Sequence, residues 1–417
     1  MFKKNLTQQI LLAMLFGGVV GGILNFWVEI TVVQWLINNV LHVIGQIFVR
    51  LLSMLVVPLV FVSLVCGVAA LGDIGKLGRL GGKALLFYLA TTAVAISLAL
   101  AIANIVAPGQ GYHLETQLTY SASTPPSIAQ TIIELVPKNP IQAMAQGQML
   151  PLIIFSLLFG IALLMAQELG KRFAKVFNDL NEINLQIVVI VMKFAPIGVF
   201  CLISKTFAVE GFGAIKPLLD YFLVVIVTLL IHAFIVYPLL LKWLSGLDVG
   251  VFLRKMRRVQ IFAFSTASSN ATIPVNIENA EKHLGVNNSV AAFTIPLGAT
   301  INMDGTAIMQ GVATLFIANV YSIDLTLVDY ATVILTATLA SIGTAGVPGV
   351  GLVMLAMVLK QVGLPVEGIA LIIGIDRLLD MLRTAVNVTG DAVATVILAK
   401  SEDALDQQIY NDNRFTP

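Results

Sequence analysis

Six polar side chains share one face of the last long apolar stretch: Asp376, Asp380, Arg383, Thr384, Asn387 and Asp391. At about 100° per residue of helix they fall within an arc of roughly 100°. Charge in a membrane interior is costly unless paired or hydrated, so such a stripe marks a ligand or ion site, with a salt bridge that merely packs helices as the plainer alternative. A second string, Asn302-Met303-Asp304-Gly305-Thr306, cannot be ordinary helix at membrane depth. Gly305 favours unwinding, and Asp304 needs a cation or hydrogen-bond donors. An unwound turn frees backbone carbonyls. Together with an Asn amide, Thr hydroxyls and carboxylates these are hard oxygen ligands, suited to Na⁺ rather than to soft or redox metals. Thr300, Asn302, Asp304, Asn387 and Asp391 are the cation-site candidates on this ground. Tyr88, Thr91 and Thr92 form a further polar patch, which by itself reads as hydrogen-bonding glue between helices.

The elements that must position these residues are membrane helices. Of 417 residues 58% are hydrophobic and only 11% charged, against the roughly 25% charged residues of a soluble domain. The net charge of +1 offers no basic surface for nucleic acid, and no Cys/His spacing suits a metal. Cys66, Cys201, His42, His113, His232 and His283 read as packing or surface residues. A window of about 20 residues finds apolar spans near 8–29, 34–71, 83–107, 140–167, 176–208, 218–245, 289–320 and 366–399. Asn25-Phe26-Trp27-Val28 makes a poor cleavage site, so the first span is expected to be retained as a helix.

Two segments, 255–286 and 329–362, are apolar at their edges but polar, Gly- or Pro-bearing at their centres. Open backbone at membrane depth is tolerated only where it is buried in protein or lines a cavity, so both read as re-entrant hairpins whose tips meet a site. A cytoplasmic loop is the alternative for the first. The basic residues give an independent check of orientation. With the N-terminus inside, Lys3, Lys4, Lys76, Arg79, Lys83, Lys171, Arg172, Lys175, Lys242, Arg254, Lys255, Arg257, Arg258 and Lys400 fall on one side, while Lys138, Lys205 and Lys216 fall on the other. That asymmetry puts both termini in the cytoplasm and makes 108–139 an external loop. Each hairpin is followed by an Asn-x-x-Gly helix with an acid nearby, at Asn302/Gly305 and Asn387/Gly390, which suggests an inverted repeat about a midplane site.

Taken together, the Asn302 string, the Ser-rich hairpin with Pro274, the Gly-Thr-Ala-Gly-Val-Pro hairpin and the Asp380–Asp391 string resemble the glutamate transporter homologue family, the dicarboxylate/amino acid:cation symporters. The resemblance covers essentially the whole chain. It implies an all-α polytopic membrane protein with eight transmembrane helices and two re-entrant helical hairpins, arranged as inverted repeats and assembled as a homotrimer in the inner membrane. It also implies scaffold helices 1 and 2 in residues 1–82, transport-domain helix 3 in 83–107, an external loop and scaffold helices 4 and 5 in 108–217, and a transport domain in 218–417 that moves as an elevator. By the same resemblance, Arg383 clamps the side-chain carboxylate of an acidic amino acid and Asp380 its ammonium, with Thr384 beside them. Asn387, Thr306, Ser268, Ser269, Gly346 and Val347 would surround its α-carboxylate. One cation cluster would use Gly298, Asn302, Asn387 and Asp391; a second Tyr88, Thr91, Thr92, Asn302 and Asp304; a third Thr300, Ser341, Ile342 and Thr344. A guanidinium is the natural bidentate partner of a carboxylate, and a buried Asp suits an amine.

The chain departs from its relatives at three places. Ala267 and Met381 stand where archaeal and animal members carry a second arginine, and Arg377 lies nearby on the same stripe. Gln310 stands where animal members carry a Glu linked to proton coupling, which argues against their proton and potassium scheme; the filled set of oxygen ligands favours Na⁺, with H⁺ as the alternative coupling ion. Two other classes fit poorly. An enzyme would need a Ser/His/Asp set, a Walker loop or a His-Glu-x-x-His motif, and none is present. A pure channel would want an open polar pore rather than Asp380 and Arg383 at a junction of two hairpins.

Overall fold

The computed structural model describes residues 6–69, 76–112, 133, 136–211, 215–342, 346 and 348–412. Thr344, Val347, His113 and most of the expected external loop lie outside the described residues. The described residues are helical between their connections, with one isolated antiparallel bridge between Val286 and Leu405. In chain order the helices are α1 Leu6–Asn25, α2 Thr31–Leu36, α3 His42–Ala69, α4 Lys76–Val106, α5 Pro140–Gln146, α6 Met149–Met165, α7 Gln167–Lys193 and α8 Ala195–Glu210. There follow α9 Ile215–Ile231, α10 Tyr237–Ser245, α11 Val249–Thr266, α12 Ser269–Lys282, α13 Asn288–Ile301, α14 Asp304–Val320, α15 Leu327–Ser341, α16 Val350–Gln361, α17 Ile369–Ser401 and α18 Gln407–Asn411. A π-turn, Ile37–Leu41, joins α2 to α3, and another, His232–Val236, joins α9 to α10.

Among the described residues, four stretches are long and apolar enough to cross a membrane: Gln8–Asn25, Thr31–Cys66, Arg79–Val106 and Lys216–Ser245. The pair α7 and α8, bent by 48°, passes the same test as one broken span. The other expected spans are interrupted. Gly147 takes a left-handed φ of 66° and closes α5, so 140–167 is two helices; 289–320 breaks at Asn302-Met303; and α17 carries the polar stripe. Lys205, expected on an external loop, lies within α8, half-buried, with its Nζ 2.8 Å from His42 Nδ1.

Local sequence explains the breaks. Ser268 accepts from the Ala271 amide and so starts α12 at the end of α11, where Ala267 adopts a left-handed φ of 48°. Thr326 and Asp329 form a capping box that starts α15. α14 is buried along nearly its whole length, its polar residues included, because α4, α9, α15, α16 and α17 enclose it. α17, 33 residues or about 50 Å long, is the axis on which α11, α12, α13 and α14 pack. A second group forms where α1 packs on α8 and α3 on α6, α7 and α8.

The segment after α17 is tied back by charge. Glu402 accepts from Lys83 Nζ and Arg79 Nη2, each at 2.5 Å, and these donors, Lys83 first, hold its carboxyl below the ordinary glutamate range. Lys255 of α11 is only 1% exposed, and its ammonium donates to the carbonyls of His283, Ile409 and Tyr410 at 2.8, 2.9 and 2.8 Å. One lysine thereby ties α11, the end of α12 and α18 together. Lys255→Met would strand three carbonyls at a cost of about 2–4 kcal/mol. The thermal unfolding midpoint of the detergent-solubilised protein should fall clearly in this variant, with Lys255→Arg falling less; an unchanged midpoint would contradict the assignment.

Candidate functional site

The polar face of α17 organises itself as a ladder of ion pairs. Arg383, 1% exposed, donates from Nη1 to Asp376 Oδ1 at 2.6 Å and from Nη2 to Asp376 Oδ2 at 3.3 Å. Its Nη2 also donates to Asp380 Oδ1 at 2.9 Å, and Arg377 Nη1 donates to Asp380 Oδ2 at 3.2 Å. The four charges cancel, which is what allows them to be buried. One donor of the guanidinium, Nε, is buried without a partner. Thr384 spends its hydroxyl on the Asp380 carbonyl at 2.8 Å.

The two polar breaks meet close to this ladder. Ser268 Oγ donates to the Gly346 carbonyl at 2.7 Å, and the Asn270 amide donates to the same oxygen at 3.1 Å. Ser269 is buried against Gly346, where an added β-carbon would sit 2.9 Å from Ser269 Cβ. From α16, a β-carbon at Gly351 would lie 3.2 Å from Arg383 Nη2 and 3.4 Å from Thr306 Cγ2. Thr306, Arg383 and the start of α16 therefore share one small space.

Next to it the break of α13 at Asn302 and Met303 builds an oxygen-rich cluster. Asn302 Nδ2 donates to the Asn387 carbonyl and to Asp391 Oδ1, both at 2.9 Å, while Asn302 Oδ1 is buried without a partner. Asn387 Oδ1 accepts from the Gly305 amide at 2.7 Å, which caps the start of α14 from α17. Asp304, fully buried, accepts from Thr92 Oγ1 at 2.7 Å on Oδ1 and from Tyr237 Oη at 2.8 Å on Oδ2, with His232 Nε2 at 3.1 Å from Oδ2. Tyr88 Oη donates to the Thr294 carbonyl at 3.1 Å, and Thr91 Oγ1 to the Tyr88 carbonyl at 3.1 Å. A β-carbon at Gly298 would lie 2.5 Å from Asp391 Oδ1 and 2.7 Å from Tyr88 Oη, so Gly298, Tyr88 and Asp391 converge. An unpartnered amide oxygen beside carboxylates, a phenol and an opened backbone is a donor set for a hard cation. Among the described residues no group of His, Cys, Asp and Glu suits a transition metal.

The structure sorts the expected residues. It brings together Tyr88, Thr92, Gly298, Asn302, Asp304, Asn387 and Asp391, and separately Asp380, Arg383 and Thr306. Of the third expected cation cluster, Thr344 lies outside the described residues; Thr300 donates its hydroxyl to the Pro296 carbonyl, Ser341 to that of Thr338, and Ile342 is buried. His232 is a correction. It is not a packing residue but a partner of the most buried carboxylate, and no sequence-local signal points from it to Asp304, 72 positions away. Tyr237 and Asp376 were also missed as partners. Asp376 stood on the polar face, but its bond to Arg383 spans seven residues, two turns of α17.

Gly390 shows how tight the cluster is. A β-carbon there would lie 2.2 Å from Tyr237 Oη and 2.6 Å from Asn302 Nδ2. Gly390→Ala should force both side chains off their partners at about 1–3 kcal/mol, so the affinity of the cluster for a hard cation should fall roughly tenfold or more. Calorimetric titration of the purified protein with Na⁺ checks this, and an unchanged affinity would show that the cluster does not bind that ion.

A buried guanidinium held by two aspartates, beside a broken helix rich in hard oxygen ligands, is an arrangement chemically able to bind a small anionic solute and a hard cation within a helical, apolar protein. The model of the sodium:dicarboxylate symporter family matches residues 6–401, and the chain belongs to that family. It is 39% identical to the proton/glutamate-aspartate symporter of Escherichia coli strain K12, over 97% of this chain and 95% of that protein. It is 37% identical to the proton/sodium-glutamate symport protein of Geobacillus stearothermophilus, over 98% and 97% of the two chains. A C4-dicarboxylate transport protein of Bacillus subtilis is 32% identical, over 97% and 95%.

Proposed function

We propose that the protein is a secondary active symporter that takes up aspartate or glutamate with Na⁺ across the inner membrane, as a homotrimer with both termini cytoplasmic. The observation that carries this reading is the buried Arg383, whose guanidinium is shared by Asp376 and Asp380 while Nε has no partner. An acidic amino acid exchanges like for like there. Its side-chain carboxylate takes the share of Arg383 that Asp380 holds, and its ammonium takes Asp380. Arg377, which grips Asp380 from the other side, would then serve in place of the second arginine missing at Ala267 and Met381. The hydroxyls and amides around Ser268, Ser269, Gly346, Val347, Thr306, Thr384 and Asn387 would hold the α-carboxylate.

Cations would bind around Gly298, Asn302, Asn387 and Asp391, around Tyr88, Thr91, Thr92, Asn302 and Asp304, and around Thr300, Ser341, Ile342 and Thr344. The packing of α3 on α6–α8, as a group distinct from the helices around α14 and α17 but touching it where α1 and α8 meet α17, supports a scaffold against which a transport domain moves as an elevator. The names of two relatives favour a second reading within the same class: a proton as coupling ion, or a C4-dicarboxylate as substrate. Uptake of radiolabelled aspartate, glutamate, succinate and serine, each with Na⁺ replaced by choline and across a pH gradient, tests both. The expected result is Na⁺-dependent uptake of the two acidic amino acids. Choline-tolerant uptake driven by pH, or a preference for succinate, would select the second reading.

A further inference from the structure

The Asp304 carboxylate takes its hydrogen bonds from two helical elements, and the donors on one of them come from an irregular piece of backbone. His232 and Tyr237 are five residues apart, so in a regular α-helix their side chains would point about 140° apart. The π-turn His232–Val236 removes that divergence. The Tyr237 amide donates to the His232 carbonyl, one turn now spans five residues, and both side chains reach the same atom, Asp304 Oδ2, at 2.8 and 3.1 Å. Their rings pack edge to face with centroids 4.5 Å apart. π-turns are rare and concentrate where a side chain has to be aimed.

Packing does not account for these residues. His232 is fully buried and its Nδ1 has no partner, so an apolar residue would fill the position at lower cost. Gly390 leaves open the space that the Tyr237 hydroxyl occupies. We propose that the π-turn and its two donors, His232 and Tyr237, are the positioning device of Asp304: they fix the plane of its carboxylate and so set the affinity for the coupled cation. The proposal rests on the reading of Asp304 as a ligand of that cation, and it adds two residues that neither the motifs nor the relatives' names point to. The role assigned to His232 and Tyr237 is to act through Asp304.

The test uses the full-length protein, in proteoliposomes for uptake and in detergent for calorimetric binding of aspartate. Tyr237→Phe keeps the ring packing and removes one donor. It should raise the Na⁺ concentration for half-maximal uptake about tenfold, and leave aspartate affinity at saturating Na⁺ within about twofold of wild type. His232→Leu should act in the same direction, and His232→Gln, which can still donate to Oδ2, should recover most of the loss. In an Asp304→Asn background Tyr237→Phe should add nothing. An unshifted Na⁺ curve in Tyr237→Phe, a full effect on top of Asp304→Asn, or Gln as harmful as Leu would each overturn the proposal. If Asp304→Asn does not assemble, the comparison of Gln with Leu decides. If wild-type aspartate binding ignores Na⁺, the cation reading of the site fails separately. The same double-mutant cycle, scored on the proton concentration for half-maximal uptake, then shows whether Tyr237 acts through Asp304: a shift in Tyr237→Phe that vanishes on Asp304→Asn supports the positioning role, and no shift or an additive one overturns it.

Discussion

Arg383→Ala should lower the affinity for aspartate and glutamate by about two to four decades. The side chain is 1% exposed and is the shared partner of Asp376 and Asp380, so its loss leaves two buried carboxylates with Arg377 alone nearby. Stranding a buried charge costs roughly 3–5 kcal/mol, and each 1.4 kcal/mol is about tenfold in binding. Calorimetry on the purified protein reads the loss directly. The variant should at the same time admit serine or alanine, which bring no second carboxylate to the pocket. Asp380→Asn should do the reverse and spare dicarboxylates more than amino acids, because an amide no longer pairs with an ammonium. Near-native aspartate affinity in Arg383→Ala would place the clamp elsewhere, with Arg377 the first alternative.

Asp391→Asn should raise the Na⁺ concentration for half-maximal uptake at least tenfold, and through linkage should weaken aspartate binding by a comparable factor at low Na⁺. The change is a clean one. Asn302 Nδ2 donates to Asp391 Oδ1 at 2.9 Å, and an asparagine oxygen can accept that bond, so the packing is kept and only the charge is removed. Titrating aspartate binding against Na⁺ in wild type and variant gives both factors in one experiment. A normal Na⁺ dependence would remove Asp391 from the cation site.

The features that could be read from the sequence are those in which polarity interrupts an apolar run. The stripe from Asp376 to Asp391, the opened turn at Asn302 and the tip at Ser268 each break a pattern that the membrane otherwise enforces, so their residue types alone mark the site. What stayed hidden depended on partners distant in sequence or on a change of phase. His232 is one polar residue in a hydrophobic helix, and only the fold brings it to Asp304. Tyr237 would point about 140° away from His232 in a regular α-helix, and only the π-turn brings both to Asp304. The split at Gly147 and the bend at Phe194 fall within continuous hydropathy, where a window averages across them. Lys255 looked like a cytoplasmic charge, because sequence shows a lysine but not the three carbonyls that surround it.

A symporter of the proposed kind moves substrate uphill at the expense of a cation gradient. Each net positive charge carried inward gains about 2.3 kcal/mol per 100 mV, enough for roughly fiftyfold accumulation. The direct test is the time course of labelled aspartate in proteoliposomes that are free of Na⁺ inside, bathed in NaCl, and held at an interior-negative potential. Internal aspartate should rise well above the external concentration, rise faster as the potential grows, and fall back to equality when an ionophore collapses the Na⁺ gradient. Aspartate that only equilibrates with the bath, whatever gradient or potential is applied, would contradict the account.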